Sequence, residues 1–172
     1  MTTFKNITFL IITIPFFYRQ KQVPIEIYLK LIALISGIIG EYLTALDESW
    51  TFKHQGNLQH IMMYAFFAFH PILELFYHYN YKVDVIPKNL DYLAAILAFT
   101  VEGFLFHEHL HGRKHMDIQV HTYLMYTIGC CIGSVILEMN YIHDVRPSLA
   151  RATFTLFQGT WFYQVCKHFV FD

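Results

Sequence analysis

The sequence has 172 residues, of which 55% are hydrophobic and 15% are charged, and its formal net charge is −1. A soluble domain carries charge on nearer a quarter of its residues, and a nucleic-acid-binding domain carries a basic excess. The composition therefore favours a single membrane-embedded domain and argues against a nucleic-acid partner.

The N-terminal segment, residues 1–24, contains one short apolar run, FLIITIPFF, from Phe9 to Phe17. A helix needs about 20 apolar residues to cross the hydrocarbon core of a bilayer. The run is too short to cross alone, and no small-residue cleavage site of a signal peptide follows it. We therefore treat residues 1–24 as a divergent segment, in which the apolar run is a candidate for a short or partial sixth span.

Five longer apolar runs follow in the part of the chain from residue 25 to residue 172. Each has about the length of a membrane-spanning helix and is apolar nearly all round. The predicted spans are about residues 25–46, 58–79, 90–109, 118–142 and 149–170. We therefore predict an all-α, multi-pass transmembrane helix bundle with five clear spans.

The links between these runs are short, so consecutive helices are expected to run antiparallel. The links then alternate between two faces of the membrane. Face A holds the N-terminal segment, the link after the second span and the link after the fourth. Face B holds the other two links and the C-terminus. Face A carries six positive residues and face B carries four, which by the positive-inside rule places face A in the cytosol.

Polar residues within the spans are expected to cluster by the same alternation. Face B receives a histidine, a glutamate or a glutamine from every span: Glu41, His60, Glu102, His109, His111, His121 and Gln164. Glu74 and Glu138 lie toward face A. Ionisable residues in spans usually face the bundle interior. Two interpretations stay open, a polar site or pathway, and neutral glutamates that hold helices together by hydrogen bonds.

The stretch HEHLHGRKHMDIQVH, residues 107–121, contains five histidines. Imidazole nitrogens suit zinc or iron, and a catalytic zinc needs three protein ligands and a water molecule. The candidate metal ligands are His60, His109, His111 and His121, with Glu102 as the candidate general base or a further ligand. Structural histidines at the interface, and proton handling, are the alternatives.

Glycines within the apolar runs predict close packing of helices. Gly37 in the first span, and the pair Gly129 and Gly133 in the fourth, have small-residue spacing typical of helix contacts in membranes.

The segment VEGFLFHEHLHGRKHMDIQVH, followed by LFQGTWFYQ, resembles the transmembrane protein 45 family, and the likeness extends over residues 25–172. Its most specific parts are an HxHG stretch followed by DIxVH, and a stretch similar to LLQGxWFxQ. Glu74 matches a position where the family has an acid, and His70 does not fall on the family pattern. The pattern falls on Glu41, His60, Glu102, His109, His111, Asp117, His121, Glu138, Gln158, Gly159, Trp161 and Gln164.

The resemblance implies a multi-pass protein of Golgi or endosomal membranes, from a family without a settled biochemical activity. We therefore expect a non-enzymatic membrane protein that acts through lipids or other membrane proteins, with no firmly predicted cofactor. The alternative is a metal-dependent membrane enzyme, or a protein that handles metal ions or protons, which uses the histidine and glutamate cluster. Residues 1–24 depart from the family pattern, and the family adds a further helix beyond the position of Asp172.

Overall fold

The computed structural model describes residues 23–81, 84–108 and 115–171, apart from the side chains of Gln55, Asp117 and residues 163–171. These residues form five helices and no β-strand, so the all-α prediction is confirmed for them. The predicted partial span before residue 23 lies outside the described residues. The helices are α1 (Ile25–Ala45), α2 (Gln55–His78), α3 (Leu90–Glu108), α4 (His115–Asn140) and α5 (Val145–Phe171).

Three of the five helices are long and apolar enough to cross a membrane. They are α1, α3 and the part of α4 from Ile118 to Asn140, with mean hydropathies of 1.5, 1.4 and 1.5. The prediction of five clear spans is therefore corrected to three in the described part of the chain. Helices α2 and α5 have 24 and 27 residues, so they are long enough to cross a membrane, and their length does not set them apart from the other three helices. Their polar residues lower the hydropathy, and these include three histidines and Glu74 in α2 and two arginines in α5.

The helices pack in chain order, α1 on α2, α2 on α3, α3 on α4 and α4 on α5. Residues 46–54 connect the first pair and residues 141–144 connect the last pair. Links of this length join antiparallel neighbours. The buried apolar core lies where the helices meet and includes Leu34, Phe67, Phe99, Leu124, Ile128 and Val135.

The outer surface of α1 is apolar. Ile32, Ile35, Ile39 and Leu43 follow one another at helical spacing, and each keeps more than half of its surface exposed. A helix of a soluble protein places such a stripe in the core and turns its charged residues outward. Here the arrangement is reversed, because Lys30 and Glu41 of the same helix are buried. The bundle thus presents an apolar exterior and encloses its polar groups.

Helix α2 continues through Pro71 without interruption. Proline lacks an N–H group, so the carbonyl of Phe67 has no helical donor there. The helix ends at His78, Tyr79 is its C-cap, and the next residue, Asn80, has a left-handed φ of 51°. The N–H of Tyr81 donates to the carbonyl of Phe76 at 2.9 Å, and this bond closes a Schellman motif.

The predicted close packing at glycine is confirmed only for Gly37. A Cβ atom at Gly37 would lie 3.0 Å from the ring of Tyr64, so the missing side chain lets α1 and α2 approach. A Cβ atom at Gly129 or Gly133 would meet no described atom within 4 Å. These two glycines therefore do not mediate helix contacts within the described residues.

Candidate functional site

A buried ion pair joins α1 to α2 near face A. Lys30 Nζ lies 3.2 Å from Glu74 Oε2 and 2.9 Å from Glu26 Oε1. His70, one turn before Glu74 on α2, places Nε2 3.4 Å from Glu74 Oε1. Lys30 and Glu74 are almost completely enclosed, with 7% and 3% of their side-chain surface exposed. A charge enclosed this well needs its partner, because an isolated buried ion costs several kcal/mol.

A second ion pair joins α4 to α5 at a similar depth. Arg151 Nε donates to Glu138 Oε2 at 2.6 Å, and Arg151 Nη2 donates to Glu138 Oε1 at 3.3 Å. This two-point contact fixes the carboxylate in the plane of the guanidinium group. Arg151 is one of the six positive residues assigned to face A from the sequence, but the structure places its side chain against Glu138, with 25% of its surface exposed. That correction removes one positive charge from face A and weakens the predicted orientation.

A small cavity lies between the two ion pairs. Its volume is about 40 Å³, and four helices contribute to its wall. The polar lining residues are Lys30, His70, Arg151 and Thr155, and the apolar ones include Phe67 and Phe99. The Nδ1 atom of His70 is buried and has no hydrogen-bond partner among the described residues.

The charges around this cavity do not balance by themselves. The carboxylates are Glu26, Glu74 and Glu138, and the cations are Lys30 and Arg151. Among these five groups the carboxylates outnumber the cations by one.

The middle of the bundle holds a second set of buried polar residues. Glu102 of α3 and Gln158 of α5 have no exposed surface, and neither does Cys131 of α4. The Cys131 thiol donates to Gln158 Oε1 at 3.4 Å. The Gln158 amide lies close enough to Glu102 to interact with it. No hydrogen bond of good geometry reaches either Glu102 oxygen or Gln158 Nε2 from the described residues.

At face B, the structure brings Glu41 and His60, two of the residues predicted to reach this end of the bundle, into contact. His60 Nδ1 and Glu41 Oε2 are 3.1 Å apart, and only the carboxylate is well buried. Asn57 reinforces this end by donating to the carbonyl of Glu41 at 3.0 Å. His60 also borders a cavity of about 20 Å³ together with Phe106.

His121 is buried near the start of α4 and contacts Phe106, with a distance of 5.9 Å between the ring centroids. His60 and His121 thus both lie near Phe106, although they belong to different helices. Trp161 fastens this end of α5 to α4, because its Nε1 donates to the carbonyl of Val120 at 3.2 Å.

The proposed metal site is only partly described. His109 and His111 lie outside the described residues, and so does the side chain of Gln164. Within residues 23–81, 84–108 and 115–171, no group of three or more histidine, cysteine, aspartate or glutamate side chains could hold a metal ion. Glu102 lies beside Gln158 in the middle of the bundle, whereas His60 contacts Glu41 at face B.

Several residues of the buried polar groups were missed by the sequence analysis. Lys30 interrupts the first apolar run, and its position four residues after Glu26 is the signal of a helical ion pair. His70 was set aside because it does not fall on the family pattern, although it borders the cavity. Cys131 and Thr155 carried no charge to mark them, so only the packing of α4 on α5 reveals their role.

The described part of the chain is thus an all-helical protein with three helices of membrane-spanning length and character. Residues 88–169 match the sequence model of a family of unknown function, DUF716. That family includes transmembrane protein 45 members. The match covers α3, α4 and nearly all of α5, which is just under half of the chain.

Proposed function

We propose that this chain is a non-catalytic, multi-pass integral membrane protein of Golgi or endosomal membranes, in which all five helices cross the bilayer. The observation that carries the proposal is the inverted arrangement of polarity. The Lys30–Glu74 and Glu138–Arg151 ion pairs lie inside the bundle, whereas large apolar side chains cover its exterior. Lipid favours this arrangement and water opposes it.

Helices α2 and α5 fit a crossing despite their lower hydropathy. At 1.5 Å per residue their 24 and 27 residues extend about 36 and 40 Å, more than the hydrocarbon thickness of about 30 Å. Their outer faces expose apolar side chains such as Phe69 and Phe157. Glu74 and Arg151, the residues that make them less apolar, have partners on neighbouring helices.

The compartment and the partners are proposed from the family resemblance. The DUF716 match includes Glu102, His121, Glu138, Gln158 and Trp161, on which the transmembrane protein 45 pattern falls. Each of these has a packing role in this chain, as a buried group or as a contact between α4 and α5. These structural roles support the proposal that the protein acts through lipids or other membrane proteins.

Glycosylation mapping tests the crossing of α2. An acceptor sequence is inserted either after Ser49, between α1 and α2, or after Val85, between α2 and α3. We expect only one of the two variants to be glycosylated, because the two links lie on opposite faces. Glycosylation of both or of neither contradicts a crossing by α2.

Fluorescence microscopy of the tagged chain against Golgi and endosome markers tests the compartment, and a plasma-membrane or mitochondrial pattern refutes it.

A second candidate function, metal binding at face B, is favoured by the bond between Glu41 and His60. Carboxylates that hold one imidazole nitrogen are typical partners of metal-binding histidines, because they orient the ring. The bond uses Nδ1, so Nε2 is the nitrogen available to a metal ion. His109, His111 and His121 are the further candidate ligands.

Metal analysis of purified protein separates the two functions. If a metal binds, zinc or iron is stoichiometric in the wild type and lost in His60→Ala and His121→Ala. Glu41→Gln then weakens the affinity about 10–100-fold, as expected for a residue that only orients a ligand. Protein purified without chelators that contains no stoichiometric metal refutes this candidate.

A further inference from the structure

Buried polar residues form a continuous line along the contact between α4 and α5. On α5, Arg151, Thr155 and Gln158 have the spacing of one helix face. We call the line formed by Arg151, Thr155, Cys131, Gln158 and Glu102 the polar seam. Its Cys131, Gln158 and Glu102 have no exposed surface.

Successive members of the polar seam are in contact. Thr155 borders the cavity near face A. Thr155 Oγ1 lies 3.9 Å from Cys131 Sγ, and Cys131 Sγ lies 3.4 Å from Gln158 Oε1. Gln158 and Glu102 form the inner end of the seam, and both are fully buried. The seam therefore runs from the cavity near face A to the middle of the bundle through the thiol of Cys131, which lies within the apolar core.

Buried atoms that lack hydrogen-bond partners among the described residues lie at the inner end of the polar seam and at the cavity beside its outer end. At the cavity the atom is His70 Nδ1, and at the inner end the atoms are Oε1 and Oε2 of Glu102 and Nε2 of Gln158. Buried polar atoms in folded proteins are nearly always satisfied, and water satisfies them where protein does not. Three atoms at the inner end match the two to four partners that a buried water needs.

The outer end has room for water. A cavity needs about 10–15 Å³ to hold one water molecule, so the cavity of about 40 Å³ has room for at least one. Toward face B, by contrast, α4 places Leu124 and Ile128 in the core with 1% and 2% of their surface exposed. Ile128 also packs beside Gly103, the neighbour of Glu102. A Cβ atom added at Gly103 would lie 3.5 Å from the Ile128 side chain.

From this arrangement we infer that the polar seam is a hydrated half-channel, which is open to water at the cavity near face A and ends at Glu102 and Gln158. Its resting occupants are water molecules, and it accepts only small hydrogen-bonding molecules of that size. The inference goes beyond the proposed function, because a membrane protein of the same compartment and topology needs no internal water.

Radiolytic labelling of the purified chain in lipid nanodiscs tests the inference. Hydroxyl radicals generated from bound water oxidise the nearest side chain, and sulfur reacts readily. Cys130 and Cys131 are matched probes, because Cys130 is exposed on the outside of the bundle and Cys131 is fully buried in the polar seam. Cys166 is replaced by alanine in both samples. Cys130 is then measured in the Cys131→Ala variant and Cys131 in the Cys130→Ala variant, each in ¹⁸O-labelled water.

The expected result is that buried Cys131 gains ¹⁸O several-fold faster than lipid-facing Cys130. Ala95→Leu, which fills the cavity, is expected to slow the labelling of Cys131 several-fold. Thr155→Val keeps the side-chain volume and removes the hydroxyl at the outer end, and it is also expected to slow the labelling of Cys131. This variant replaces Ala95→Leu in the test if Ala95→Leu does not fold. Labelling of Cys131 that is no faster than that of Cys130 overturns the inference. Labelling that is indifferent to both substitutions overturns the route through the cavity. Localisation and glycosylation mapping are unaffected by either outcome.

Discussion

Replacing Lys30 with methionine tests how much the buried ion pair stabilises the bundle. Methionine has about the volume of the lysine stem, but it leaves Glu74 without the cation 3.2 Å away. Removing one partner of a buried pair typically costs about 3–5 kcal/mol, because the other charge remains enclosed. His70 stays 3.4 Å from Glu74 and offers partial compensation. We therefore expect the lower end of the range, about 3 kcal/mol.

Thermal unfolding in lipid nanodiscs measures this change. For a chain of 150–250 residues each kcal/mol shifts the Tm by about 2–4 °C, so Lys30→Met is expected to lower the Tm by about 6–12 °C. The double variant Lys30→Met with Glu74→Gln is expected to recover most of this loss, since neither charge remains. Lys53→Met removes an exposed ion pair with Asp47 and serves as the control, with an expected change below about 1 kcal/mol.

Two results would refute the reasoning. An unchanged Tm for Lys30→Met would mean that Glu74 does not depend on the lysine. A double variant whose loss equals the sum of the two single losses would mean that the two side chains act independently.

Three further predictions concern other contacts. Gly37→Ala is expected to destabilise the bundle by about 1–3 kcal/mol through its clash with Tyr64, whereas Gly40→Ala, which meets no atom within 4 Å, is expected to be neutral or stabilising in the same thermal assay. Trp161→Phe is expected to lower stability by about 0.5–1.5 kcal/mol through the lost bond to the carbonyl of Val120, and an unchanged Tm would contradict it. The bonds from Lys53 and from the loop lower the pKa of Asp47 well below its usual 3.8. Its contribution to the loop is therefore complete above about pH 4 and is lost as the pH falls toward the lowered pKa, so carboxyl NMR should show no titration of Asp47 between pH 4 and 8.

The helical architecture could be predicted from the sequence, because apolar runs of membrane length leave few alternatives. The order of short links also predicted that Glu41 and His60 reach one end of the bundle and that Glu74 and Glu138 lie toward the other. The number of clear spans could not be read in the same way. In α2 and α5, polar residues that belong to the bundle interior lower the mean hydropathy, and only the three-dimensional packing shows which face they occupy.

The polar seam was beyond sequence reasoning for a different reason. Cys131 and Thr155 are ordinary residues of apolar helices, and their meaning arises only when α4 and α5 bring them within 4 Å. The proposed metal site stays a prediction, since two of its four histidines lie outside the described residues.

The chain-order packing of the helices has a consequence for how the protein enters the membrane. Each ion pair joins two helices that follow one another in the chain, α1 with α2 and α4 with α5. A helical hairpin can therefore bring its opposite charges together before either helix faces lipid alone. If the two hairpins on either side of α3 insert as units, neither Glu74 nor Arg151 has to enter the hydrocarbon without its partner. The less apolar helices α2 and α5 would then enter together with their apolar neighbours α1 and α4.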